Sequence, residues 1–169
     1  MAQPQLFEML RTLYRHQVDF ILIGGVSGVL HGAGVTTYDL DIVQSREPEN
    51  LVRLLEALEE IEGYYRTHPR NRILPDVERL ALPGHHLLMT NFGPLDILGT
   101  VTKGRDYHSL LPDTIEMSLP GGGAIRVISL EMLIVLKRET AREKDKLMLP
   151  ILIHTLNERN RVEEKDLEK

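Results

Sequence analysis

The chain has 169 residues, a formal net charge of −5 and no cysteine. That length suits one domain with a real core. The missing cysteines exclude disulfides and thiolate metal sites, and the net acidity argues against indiscriminate nucleic-acid binding. No apolar run approaches a membrane span, and Met1-Ala2-Gln3-Pro4 lacks the basic-then-apolar layout of a secretory signal, so the expectation is a cytoplasmic protein with no membrane partner.

In chain order, Pro4 to Arg15 reads as an amphipathic helix with Leu6, Met9, Leu10 and Leu13 on one face. Val18 to Ile23 reads as a buried strand. Gly24 and Gly25 then let the backbone turn sharply and let a ligand come close. Val26 to His31 follows as a short helix. Its first free N–H groups suit an anion, and Ser27 adds a hydroxyl beside them.

Asp39-Leu40-Asp41-Ile42 reads as an acidic strand. Side chains alternate along a strand, so Asp39 and Asp41 share a face, with their Cα atoms about 6.6 Å apart. Carboxylates that close repel, and a cation between them relieves the repulsion. Oxygen ligands on a rigid strand suit Mg²⁺, which keeps waters and substrate phosphates as its other ligands. The competing reading is a solvated pair on an edge strand. A calcium loop is excluded because Val43 stands where a third oxygen is needed, and a P-loop because no Gly-Lys-Ser/Thr occurs.

Leu51 to Ile61 has the stripe of a helix, preceded by Pro48, a residue suited to a first helical turn. Tyr64 to Gly84, with Pro69, Pro75 and Pro83, reads as an irregular connection with at most two helical turns in Asp76 to Leu82. His86 to Thr90 and Leu95 to Leu98 read as strands joined at Asn91-Phe92-Gly93-Pro94. The second carries Asp96 between apolar neighbours, and a buried unpaired carboxylate is costly. His85 and His86 point to opposite faces. Thr114 to Leu119 and Ala124 to Ile128 form a hairpin across Pro120-Gly121-Gly122-Gly123. Ser129 caps a helix in which Lys137 shares the inward face of Leu133 and Ile134, while Arg138 is turned to the surface. An inward amine needs an anionic partner. A last helix runs through Leu147, Ile151, Leu152 and Leu156, and the charged tail from Asn157 to Lys169 reads as frayed.

Ile23-Gly24-Gly25, a spacer, then Asp39-Leu40-Asp41-Ile42 resembles the signature of the polymerase-β superfamily of nucleotidyltransferases. With Leu30-His31-Gly32 and Thr37, the stretch is most similar to small bacterial nucleotidyltransferases related to abortive-infection and toxin–antitoxin proteins. Those relatives carry Arg where this chain has Val35.

The resemblance implies an α/β (α+β) nucleotidyltransferase fold, a mixed sheet flanked by helices with a small C-terminal helical extension. The domain division expected is 1–128 for the nucleotidyltransferase unit and 129–169 for the helices packed on it. It makes Asp96 the third catalytic carboxylate beside Asp39 and Asp41, the three holding two Mg²⁺ ions, or Mn²⁺. It implies that a nucleoside triphosphate lies on Gly24, Gly25 and Ser27, with the Lys137 amine toward its phosphates. The reaction implied is metal-dependent transfer of a nucleoside monophosphate to a hydroxyl of a protein, a tRNA end or a small molecule, with a toxin-like role and an antitoxin-like protein partner. Arg105 and Tyr107 are weaker candidates for substrate contact, and His31 reads chiefly as a packing residue. The Val35 departure motivates a second reading, a module of the same fold that binds nucleotide or a partner without chemistry.

Overall fold

A computed structural model describes residues 3–168. Seven strands form one mixed sheet among the described residues: β1 (Phe20–Ile23), β2 (Leu40–Gln44), β3 (Tyr64–Tyr65), β4 (His85–Thr90), β5 (Gly93–Leu98), β6 (Thr114–Ser118) and β7 (Ala124–Ile128), in the order β3-β4-β5-β2-β1-β7-β6. β1 runs antiparallel to β2 and parallel to β7, and β2 runs parallel to β5. The two-residue alternation of each strand divides the apolar residues between two layers.

One layer joins Leu22, Leu40, Ile42, Leu95 and Ile97 to α1 (Leu6–Arg15) and α3 (Pro48–Glu60). The other joins Ile21, Ile23, Val43 and Ile128 to α6 (Leu130–Thr140) and α7 (Glu143–Leu167). Between β1 and β2 lies the short α2 (Gly24–Leu30), and between β5 and β6 the one-turn α5 (Tyr107–Leu110). The C-terminal end of α2 is tied to β7, because His31 Nε2 lies 2.7 Å from the carbonyl of Ile128. Val35 packs into the second layer, where its methyl and that of Leu152 lie over Gly28. This is the mixed α/β architecture expected, with the Ser129 side chain accepting from the Met132 N–H at the start of α6.

Two expectations change. The tail does not fray from Asn157: α7 continues to Leu167, with Arg159 paired to Glu131 of α6 and Arg161 to Glu158 one turn earlier. Charge pairing one turn apart and across helices supports a helix that has little apolar stripe. The stretch after Glu62-Gly63 is not wholly irregular. Tyr64–Tyr65 adds a short edge strand to β4, whereas Val77–Leu80 forms one helical turn, α4, capped by Asp76, within the one or two turns expected there.

α7 is fastened chiefly by Met148 and Leu152, the latter fully buried. Leu152→Ala should therefore cost about 2–5 kcal/mol. Thermal unfolding checks it, with a fall in Tm of roughly 5–15 °C expected.

Candidate active site

The acidic residues come together because of strand register. Asp41 of β2 is the direct parallel partner of Asp96 of β5, and it also lies opposite Ile23, the last residue of β1. Both acids stand on the sheet face opposite Leu40, Ile42, Leu95 and Ile97. Asp39, just before β2, completes the group: one oxygen from each of Asp39, Asp41 and Asp96 lies within 4.8 Å of the others. It is the one such acidic or histidine cluster among the described residues.

The Gly-Gly turn is shaped by these acids. Gly24 has φ +70, and a Cβ there would lie 2.8 Å from Asp41 Cγ. A Cβ on Gly25 would lie 2.7 Å from Thr37 Cβ. Both glycines are buried, and both leave room for side chains of the returning strand. Thr37 donates its hydroxyl hydrogen to Asp39, with the carbonyl and carboxylate oxygens each at 3.2 Å. Ser27 is fully buried, and its hydroxyl donates to the Gly24 carbonyl at 2.6 Å, so it braces the turn from within.

Each outer acid faces a cation. Arg66, just past β3, grips Asp96 with both guanidinium nitrogens, one of them 3.3 Å from Oδ2. Lys144 Nζ is 3.8 Å from Asp39 Oδ1. Asp41 has no cation in contact. Burial, then the charges of Asp39 and Asp96, push its carboxyl up to about 7 against the weaker opposing pull of Lys137 and Lys144.

Lys137 is buried on the inward face of α6 as expected, and Arg138 is exposed. The partner of Lys137 is neither the acid cluster nor an empty space but Asp145, 2.8 Å away. Asp145 is fully buried and also accepts from Thr140 and Arg142. Burial raises its pKa, but these hydrogen bonds outweigh that and hold it well below the usual carboxylate range. Asp145 therefore fixes both the α6–α7 corner and the ammonium of Lys137.

A cavity of about 340 Å³ opens between β1, β5 and α6. Asp41, Gly24 and Lys137 lie on its wall, with Ile23, Leu98, Val101, Leu133 and Leu136 as its apolar lining. His85 reaches it, whereas His86 turns into the opposite layer, 3.0 Å from the Tyr65 hydroxyl. Arg105 is not free for a ligand. Its guanidinium pairs with Glu139 and pins the Thr102–Gly104 turn to α6. Tyr107 lies beside Phe20, at the far end of β1 from Gly24. The larger cleft there, about 510 Å³, lies away from the acids, and its Arg15 and Asp19 are paired with Glu60 and Arg53.

Sequence reading missed Arg66 and the role of Asp145. Arg66 stood in a stretch without periodicity. The stretch around Asp145 did carry a signal, since a lysine on an apolar stripe followed eight residues later by an acid at the next helix start fits a buried pair.

No family model matches this chain, and no curated protein matches it in sequence. Solved structures do. The lincomycin-bound lincosamide antibiotic adenylyltransferase LnuA aligns with a TM-score of 0.59 at 18% identity, over 87% of this chain and 93% of that one. A candidate nucleotidyltransferase from Thermotoga maritima aligns with a TM-score of 0.55 at 20% identity, over 94% and 96%. The antibiotic-resistance factor ANT(2'')-Ia aligns with a TM-score of 0.59 at 14% identity, over 95% and 91%. The fold is thus that of the nucleotidyltransferases, and it carries an acidic cluster suited to a divalent cation.

The raised pKa of Asp41 fixes a pH dependence. Between about pH 4 and 7 the folded protein keeps a proton that the unfolded chain releases, so stability falls as pH rises through that window and is level above it. Asp41→Asn removes the ionisation. Without metal the variant should match wild type near pH 4 and exceed it at pH 8 by ~2–4 kcal/mol. Scanning calorimetry at the two pH values tests this. A variant that is less stable than wild type at pH 8 contradicts it.

Proposed function

We propose that this protein is a metal-dependent nucleotidyltransferase that moves a nucleoside monophosphate from a nucleoside triphosphate to an acceptor hydroxyl. The observation that carries the reading is the convergence of Asp39, Asp41 and Asp96, one oxygen of each within 4.8 Å of the others, with Asp41 on the wall of a cavity that also holds Gly24 and Lys137. The donor set fits a hard cation: three carboxylates, no nitrogen or sulfur, and one acid whose ionisation is suppressed until positive charge arrives. Mg²⁺ suits it, with Mn²⁺ as a substitute, and two ions is the number that the sequence resemblance implies. When bound, the divalent cation supplies charge neutralisation on the phosphates and acidifies the attacking hydroxyl.

The chain's own groups do the rest. Asp39, Asp41 and Asp96 hold the cation on a sheet whose register leaves them little freedom. The backbone at Gly24, on the cavity wall, and at Gly25 beside it would hold the triphosphate, with Ser27 keeping the turn in shape. The Lys137 ammonium has three protons, of which Asp145 takes one, and the others would remain for a phosphate oxygen. The apolar walls at Leu98, Val101, Leu133 and Leu136 receive the uncharged part of the nucleotide and exclude water. No separate general base is required, because positioning and charge stabilisation supply most of the rate in phosphoryl chemistry.

For the acceptor, two structural neighbours are named for antibiotic modification or resistance, which supports a small molecule over a protein or a tRNA end. A toxin-like role with an antitoxin-like partner rests on the sequence resemblance alone.

Two variants test the reading. Asp41→Asn should lower Mg²⁺-dependent nucleotidyl transfer by about a hundredfold or more, measured as labelled pyrophosphate release. Lys137→Ala should weaken triphosphate binding by about tenfold or more in calorimetry with Mg²⁺ present and leave nucleoside binding nearly unchanged, whereas Arg138→Ala should change neither. Equal triphosphate affinity for wild type and Lys137→Ala, with both folded at the assay temperature, would remove α6 from the site. Nucleotide binding without metal-dependent turnover would favour the non-catalytic module.

A further inference from the structure

We propose that Arg66 is a built-in competitor of the divalent cation, which gains the site fully only together with the triphosphate. This rests on the three-carboxylate reading and adds a constraint on how that site is filled.

Arg66 reaches Asp96 across the sheet from the edge. Its backbone N–H donates to the Leu87 carbonyl at 3.0 Å, continuing the β3–β4 pairing. This register sends its side chain to the same face as Asp96. The guanidinium then lies along the carboxylate, one nitrogen on each oxygen, and the nitrogen on Oδ1 also donates to the Leu88 carbonyl at 3.1 Å. The Asp96 side chain is only 12% exposed, so the pair is little screened by solvent.

A paired fork of this kind does two opposed things. It orients Asp96, and it places a full positive charge within one atom of a would-be metal ligand. Each Asp96 oxygen has a lone pair beyond the one that Arg66 takes, and one of these oxygens lies within 4.8 Å of those of Asp39 and Asp41, so the cation can be held without expelling Arg66. Like charges on one ligand nevertheless oppose each other. An opposite charge within about 4–6 Å alters a carboxylate's affinity for a proton by tenfold to a thousandfold, and a metal ion meets the same field. Lys144, 3.8 Å from Asp39 and largely exposed, adds to the opposition from the other side.

In the empty protein two of the three acids therefore already have a cation, and a divalent ion arriving alone finds little uncompensated charge. A triphosphate brings its own negative charge to the same place. The metal and the nucleotide should consequently bind with strong positive coupling, and reciprocity requires that each tighten the other by the same factor. Arg66 sets much of that coupling by lowering the affinity of the metal alone.

The test is Mn²⁺ binding followed by electron paramagnetic resonance, with and without a nonhydrolysable triphosphate, on wild type, Arg66→Ala and Arg66→Gln. Arg72→Ala is the control: that guanidinium lies over the Tyr64 ring and near Glu62. Both Arg66 variants should bind Mn²⁺ alone about tenfold or more tightly than wild type, and the further tightening caused by nucleotide should shrink by a similar factor. The control should match wild type. Arg66→Gln keeps a donor for Leu88 and carries the test if Arg66→Ala does not fold. Equal or weaker Mn²⁺ affinity in a folded Arg66 variant overturns the proposal and leaves Arg66 as a positioning residue for Asp96. Wild type that binds no Mn²⁺ even with triphosphate overturns the metal site itself, and the proposal with it.

Discussion

Three carboxylates held within 4.8 Å of one another repel, and much of the surrounding chain answers that repulsion. Strand register creates the problem: Asp41 and Asp96 are direct neighbours across β2 and β5, on a sheet whose other face is closed by Leu40, Ile42, Leu95 and Ile97. The acids cannot turn away without turning those apolar side chains out of the core. The responses are local. Arg66 meets Asp96, Lys144 meets Asp39, and Asp41, left without a partner, keeps its proton up to about pH 7. So answered, the empty site holds little uncompensated charge, and in the proposed reading a divalent cation fills it together with the negative charge of a triphosphate.

The second constraint is the α6–α7 corner. A fully buried aspartate would be costly alone, yet Asp145 gathers Lys137, Thr140 and Arg142 around it. The same cluster ends α6, where Ala141 takes φ 48, and starts α7. Helix packing and site geometry are therefore one feature. The corner holds the C-terminal helices on the sheet, and it also fixes an ammonium on the wall of the cavity beside Asp41.

Most of this was legible in the sequence where the signal was local. The Gly-Gly turn, the acid-apolar-acid strand, the hairpin glycines and the Ser129 cap are each set by neighbouring residues; the last two stand where the pattern placed them, while β2 begins one residue after Asp39 and α2 already includes Gly24 and Gly25. Asp96 was legible because a lone acid in an apolar strand needs a reason. What could not be read depends on long-range placement. Arg66 belongs to a stretch with no periodicity, and it acquires meaning only because Tyr64–Tyr65 pairs with β4 and aims it at Asp96. The purpose of Gly24 and Gly25 was half visible. A turn required them, but the atoms that would clash with a Cβ belong to Asp41 and Thr37, well over ten residues on. The charged end of α7 was misread in part because one partner that supports it, Glu131 opposite Arg159, lies on another helix.

The central claim is that Asp39, Asp41 and Asp96 together hold a divalent cation against the triphosphate. The most direct measurement is anomalous scattering from crystals of the protein with Mn²⁺ and a nonhydrolysable nucleoside triphosphate. The account predicts a Mn²⁺ peak in contact with all three carboxylates or shared between two sites among them, with the phosphates lying between that peak and Lys137. A bound triphosphate with no Mn²⁺ at the acids, or Mn²⁺ on the phosphates alone with Arg66 still closing Asp96, would contradict it.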